Sequence, residues 1–189
     1  MAGPGQPTAR WRRFVNDRPI AALALVGVIA TQLGTYFGYV FQAFGLPVLP
    51  WPLYNGILGT TFGELPIGEG GAIQELNGAT SSPEAFFEFA TSGEAFFVGN
   101  ALHFVNGIVF AILWGVLFRD GVPWRNTFGG NIGKGMLYGV IMTIISAGLL
   151  VPYAYVENQG YGLFLFDGPD GWKLPFAILI WHLIYGYFL

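Results

Sequence analysis

The sequence predicts an all-α fold: a polytopic membrane helical bundle of four transmembrane helices. Three observations carry that prediction. Of 189 residues, 53% are hydrophobic and only 10% are charged, against about 25% charged in soluble domains. Apolar runs that cross, or nearly cross, about 30 Å of hydrocarbon recur four times. The few cations gather in alternate connecting segments. Disorder is excluded by 18 Phe, 9 Tyr and 6 Trp, which are far more buriable surface than a solvated chain carries.

Taken in order, an arginine-rich arm over 1–19 precedes a single transmembrane domain over 20–189. The first span, 20–44, ends in the breaker-rich Gly45-Leu-Pro-Val-Leu-Pro-Trp-Pro52. Its apolar stretch is longer than a signal-peptide core. The second, 95–118, stops at Arg119-Asp-Gly-Val-Pro123, and the third covers 133–155. Before the third lies Gly129-Gly130-Asn-Ile-Gly133-Lys134, which lacks the spacing and preceding strand of a phosphate loop and reads as a flexible lead-in. The fourth, 174–189, holds 16 residues, or about 24 Å of helix. A carboxylate directly after Leu189 would lie at a costly depth, so the chain is expected to continue past it.

Charge sets the orientation. With the N-terminus inside, the inner segments hold Arg10, Arg12, Arg13, Arg18, Arg119, Arg125 and Lys134, and the outer ones hold only Lys173. Both termini are therefore expected to be cytoplasmic, in a multi-pass protein of the inner (plasma) membrane. The outer loop, 49–93, is glycine-rich and acidic. Its Ser81-Ser-Pro83-Glu84 is a helix start, and the Glu-Ala-Phe-Phe at Glu84 and again at Glu94 suits a helix lying in the outer interface.

An internal repeat is legible. Leu25-Val-Gly27-Val-Ile-Ala-Thr31 matches Leu137-Tyr-Gly139-Val-Ile-Met-Thr143 at five of seven positions, and His103-Phe-Val-Asn-Gly107 is echoed by His182-Leu-Ile-Tyr-Gly186. Matched helices would cross in the same direction, as two parallel helical-hairpin repeats. Gly34-x-x-x-Gly38 and Gly135-x-x-x-Gly139 let helix backbones approach, either to seal the bundle or to bind another subunit.

Ionisable residues inside spans mark function, and His103 and His182 are the two deep ones, each some 12 Å in from the outer end. Asn100, His103 and Asn106 recur at threefold spacing, and Thr31, Gln32, Thr35, Thr143 and Ser146 would complete a polar interior. The sharp reading makes His103 and His182 axial ligands of one b-type haem. Against it, the propionates would find Lys173 alone on an outer side carrying nine acids. The plain reading has each histidine bonded across helices to an Asn, Thr or carbonyl, at about 1 kcal/mol each. Cysteine is absent, and no HExxH, nucleophile elbow or phosphate loop occurs, so nothing indicates an enzyme or a metal centre. A pI near 5.2 offers nucleic acid no basic footprint. Trp114, Trp124, Trp172 and Trp181 lie at or near span ends, where aromatic belts form, and Trp11 and Trp51 flank the first span.

The Gly-x-x-x-Thr span over Gly27 to Thr31, followed by His-x-x-x-Gly spans over His103 to Gly107 and His182 to Gly186, resembles small four-span bacterial and archaeal membrane proteins of unestablished role. The matching motifs cover a minority of the chain, and the resemblance transfers no activity. The expected function is a non-catalytic subunit packed in a larger membrane complex of respiratory or photosynthetic type, its partners being lipid, other subunits or copies of itself. Two alternatives stand beside it: a haem b electron-transfer subunit using His103 and His182, and a small-solute or proton transport component.

Overall fold

The computed structural model describes residues 7–49, 51–52, 55, 94–124, 127–155 and 161–189, and among these the regular structure is helical throughout. Helix α1 (Pro7–Asp17) leads into α2 (Pro19–Val40), which tightens into a 3-10 turn over Phe41–Phe44. Helix α3 (Glu94–Leu113) continues as a wider π-turn over Trp114–Phe118. Helix α4 (Phe128–Ile145) continues as a π-helix over Ser146–Tyr155, and α5 is Lys173–Phe188. Three stretches, Pro19–Phe44, Phe97–Phe118 and Phe128–Pro152, are long and apolar enough to cross a membrane; α5 is shorter.

Local chemistry explains these limits. Pro19 opens α2, where its missing N–H costs nothing. Gly45, at φ +73°, closes the 3-10 turn by donating to the Gln42 carbonyl at 3.1 Å. The glycine-rich lead-in to the third span is helical rather than flexible, because the Thr127 hydroxyl accepts from Gly130 N at 3.1 Å and starts α4 five residues earlier than Gly133. In the arm, Pro7–Asp17 is helix. Pro152 lies inside the π-helix, where the absent N–H and the ring's clash with the preceding turn disfavour regular α geometry.

Packing is antiparallel and unusually close. Leu23 of α2 covers Gly115 of α3, Gly27 faces Gly107 and Ala111, and Thr31 sits directly on Gly107. Gly34 and Gly38 receive the Trp181 indole of α5. On the other side, Gly135 of α4 abuts the Gly186 carbonyl and Gly139 abuts that of His182. All four glycines of the two small-residue motifs are thus occupied within the chain itself. Large apolar side chains such as Ile29, Phe37, Leu117 and Leu149 face outward, a surface suited to hydrocarbon.

This order gathers charge at the ends of the bundle. The start of α2, the end of α3 and the start of α4 lie together, so Arg18, Arg119 and Lys134 share one end while Asp167, Asp170 and Lys173 lie at the other. Lys134 is 1% exposed and its Nζ donates to the Arg119 carbonyl at 2.7 Å, meeting one of the acceptors a helix leaves open at its C-terminal end. Arg119 also bonds Asp120 at 3.1 Å, and these hydrogen bonds, with the guanidinium charge, hold the Asp120 carboxyl below its ordinary range.

Two tryptophans depart from the belt expectation. Trp114 and Trp181 are 4% and 6% exposed and belong to the core, because each projects toward a neighbouring helix rather than outward. Trp11, Trp124 and Trp172 are exposed as a belt requires. Most of the outer loop, with the greater part of the helix read from Ser81, lies outside the described residues, while the second Glu-Ala-Phe-Phe, Glu94 to Phe97, opens α3. Where the chain leaves the first span, Leu49 turns back to donate to the Gly38 carbonyl at 3.1 Å, Trp51 meets Trp181 edge-on at 6.2 Å, and Asn55 is buried.

A polar cavity between two histidines

Each histidine meets a threonine that bends its own helix's hydrogen bonding. Thr35 Oγ1 donates to the Thr31 carbonyl at 2.7 Å and lies 2.7 Å from His103 Nε2. Thr143 Oγ1 donates to the Gly139 carbonyl at 2.9 Å and lies 3.2 Å from His182 Nδ1. A hydroxyl has one proton, and in both cases a carbonyl takes it. Each threonine therefore accepts from its histidine, which places the ring proton of His103 on Nε2 and that of His182 on Nδ1; the His182 ring also bonds the Ile178 backbone. His103 Nδ1 then accepts from Asn55 Nδ2 at 3.4 Å.

The two sites share one plan. Gly27, Thr31 and Thr35 on α2 face His103 and Gly107 on α3, and Gly135, Gly139 and Thr143 on α4 face His182 and Gly186 on α5. This pairing is one helical turn away from the five-of-seven sequence match, which sets Gly27 against Gly139.

Between the sites lies a cavity of about 110 Å³, lined by both histidines, Thr31, Ser146, Trp181, Asn55 and Tyr185 and by apolar groups including Phe110 and Met142. Tyr185 is committed elsewhere, its hydroxyl donating to the Gly107 carbonyl at 2.5 Å. Thr31 Oγ1, Ser146 Oγ and Trp181 Nε1 are buried and, among the described residues, bond to nothing. Leaving such a group unmatched costs about 1–3 kcal/mol; the Trp181 Nε1 edge lies against Gly34 and the Thr31 hydroxyl against Gly107. The space holds several water-sized volumes.

His103, His182 and Thr143 come together with Thr31, Thr35 and Ser146. Gln32 and Asn100 are half-buried and do not line the cavity. Asn106 touches its rim but is exposed rather than interior. Threefold spacing turns each step back about 60° around the axis, so the buried stripe of α3 runs through His103, Gly107 and Ala111 instead. Tyr185 and Asn55 escaped the sequence reading, which has Trp181 only as a belt residue. Trp181 directly precedes a deep histidine, and that adjacency was the available signal.

The donor set does not suit haem. Both ring nitrogens of His103 are engaged, and the Trp181 indole packs against both imidazoles, with ring centroids 5.8 Å from His103 and 5.2 Å from His182. Among the described residues no three His, Asp or Glu side chains gather as metal ligands. No known family, curated protein or solved structure matches this chain.

Proposed function

We propose that the protein is a small-solute transport component: a multi-pass protein of the plasma membrane whose helices hold a polar molecule between His103 and His182. The observation that carries this reading is the cavity itself, lined inside an apolar helical bundle by His103, His182, Thr31, Ser146 and Asn55. Polar groups at membrane depth are expensive, and where they line a cavity they mark pathways.

In this proposal α5 completes a four-span bundle, both termini are cytoplasmic, and the two hairpins derive from one repeat. The shared Gly-small-Thr against His-Gly arrangement supports the repeat in its shifted register, and the gathering of Arg18, Arg119 and Lys134 at one end supports the orientation. The reading as an accessory subunit of a larger complex has less behind it, since Gly34, Gly38, Gly135 and Gly139 are covered from within the chain.

The test is uptake into liposomes. The purified protein is reconstituted and the entry of a panel of labelled small solutes, charged and uncharged, is timed. At least one is expected to enter faster than into empty liposomes, with the rate falling about three- to tenfold in T31V and S146A, each of which removes one hydroxyl and keeps the shape. Equal entry with and without protein for every solute sinks the proposal.

A further inference from the structure

We infer that the cavity is entered sideways from the bilayer, through a cleft between α3 and α4, and that its ligand is a single-chain amphiphile with an uncharged polar head. The inference rests on reading the cavity as a solute site and deepens it by naming the phase from which the solute comes. Its basis is where the helices part. Along their lengths α3 packs on α2 and α4 packs on α5, with α2 against α5 between the two pairs. Helices α3 and α4 are joined toward the basic end: Lys134 Nζ reaches the Arg119 carbonyl at 2.7 Å, the Tyr138 and Phe118 rings meet at 5.2 Å, and the Tyr138 hydroxyl donates to the Phe110 carbonyl at 3.0 Å. Beyond that junction, residues of both helices line the cavity. Three of these, Asn106 on α3 with Ile145 and Leu150 on α4, are exposed, so the cavity reaches the surface between the two helices. Asn106 lies about 14 Å of helical rise from Phe97 and about 18 Å from Phe118. The mouth therefore opens on the side of the bundle, at hydrocarbon depth, and not at its end. An amide exposed there is unfavourable, and a polar head passing or resting at the mouth offsets that cost.

The walls set the form of the ligand. Phe110, Met142, Ile145 and Leu150 make the cleft apolar, which suits a hydrocarbon chain, and polar groups stand deeper, at the histidines and Asn55. Neither a carboxylate, a lysine nor an arginine is among the described residues that line the space. A charged head would lose its water there and gain no counter-charge, which low-dielectric surroundings penalise heavily. At about 110 Å³ the cavity accepts a head group but not the length of a chain. The chain therefore stays in the cleft, beside the lipids.

Photolabelling with a diazirine-bearing dodecanol tests the route and the ligand together, in protein reconstituted into liposomes, with the crosslinked residues read by mass spectrometry. Labelling of Phe110, Ile145 and Leu150 is expected to saturate with probe concentration and to be displaced by plain dodecanol. Labelling of Ile29 and Phe37, on the outward face of α2, should instead rise in proportion to the probe. Glycerol, a head without a chain, and dodecanesulfonate, a chain with a charged head, are expected to displace nothing. Ile145→Trp and Leu150→Trp each fill the mouth from an exposed position. Either should lower labelling at Phe110 about fivefold or more and leave the α2 face as it was. Cleft labelling that never saturates overturns the inference, as does displacement by glycerol, which makes water the route, or by dodecanesulfonate, which admits a charged head. Liposome uptake separates this failure from that of the transport reading. Entry of a water-soluble solute without saturable cleft labelling leaves transport standing and removes this ligand, whereas no entry and no saturable labelling removes both.

Discussion

Thr35 and Thr143 show how a single hydroxyl acts at membrane depth. Each gives its proton back to a carbonyl four residues earlier, at 2.7 and 2.9 Å, and so presents its histidine with an acceptor. That back-bond is common for threonine in helices, and here it selects one of two imidazole tautomers. Packing at this scale is equally strict. A Cβ on Gly107 would collide with the Thr31 side chain, the hydroxyl most severely. Gly107→Ala is therefore expected to be strongly destabilising, by more than about 2 kcal/mol in line with overpacked cores. Thr31→Ala deletes the worst overlap, so the double variant should unfold at a higher denaturant concentration than G107A alone. If the two are equal in a denaturant titration, Thr31 does not cover Gly107. The histidines were legible in the sequence because a deep ionisable group in so apolar a chain is conspicuous. Their partners were legible only as a loose set, since Thr31, Thr35, Gln32 and Ser146 look alike until facing helices choose among them.

Between helices, register decides which glycines matter. Gly135 and Gly186 meet backbone to backbone, so an added methyl has no side chain to displace. Gly129, near the start of α4, has open space around its would-be Cβ. Gly135→Ala is expected to separate α4 from α5 and lower the yield of monodisperse protein sharply. By contrast Gly129→Ala should be neutral or stabilising by up to about 1 kcal/mol through helix propensity. Thermal melts in one detergent compare them directly, and a G135A protein as stable as G129A would show that the two helices do not touch there. The limits of α2 and α3 were readable from Gly45 and Arg119. The start of α4 was not, because a run rich in glycine suggests flexibility until the Thr127 cap is placed. Nor was the repeat register, because identity of short apolar strings carries less information than which small residue lies under which carbonyl.

For the molecule as a whole, antiparallel packing converts scattered cations into one basic end, with Arg18, Arg119 and Lys134 together. The absence of cysteine makes the resulting orientation simple to probe with single introduced thiols. Position 169, between α4 and α5, should react with an impermeant maleimide in intact cells, and position 17, at the end of α1, should react only after permeabilisation. The reverse pattern would invert the proposed threading.

Membrane residence, the helical class and the depth of both histidines follow from the sequence by itself, since they depend on how much apolar length and how few charges the chain carries, which are additive along it. Tertiary structure alone decided that Trp181 enters the core, that Asn106 stays at the rim, that the glycine faces close inward and that both histidines line one space. Those outcomes depend on the rotation and sliding of one helix against another, where a single turn of shift exchanges every contact, and no local property of the chain encodes that choice.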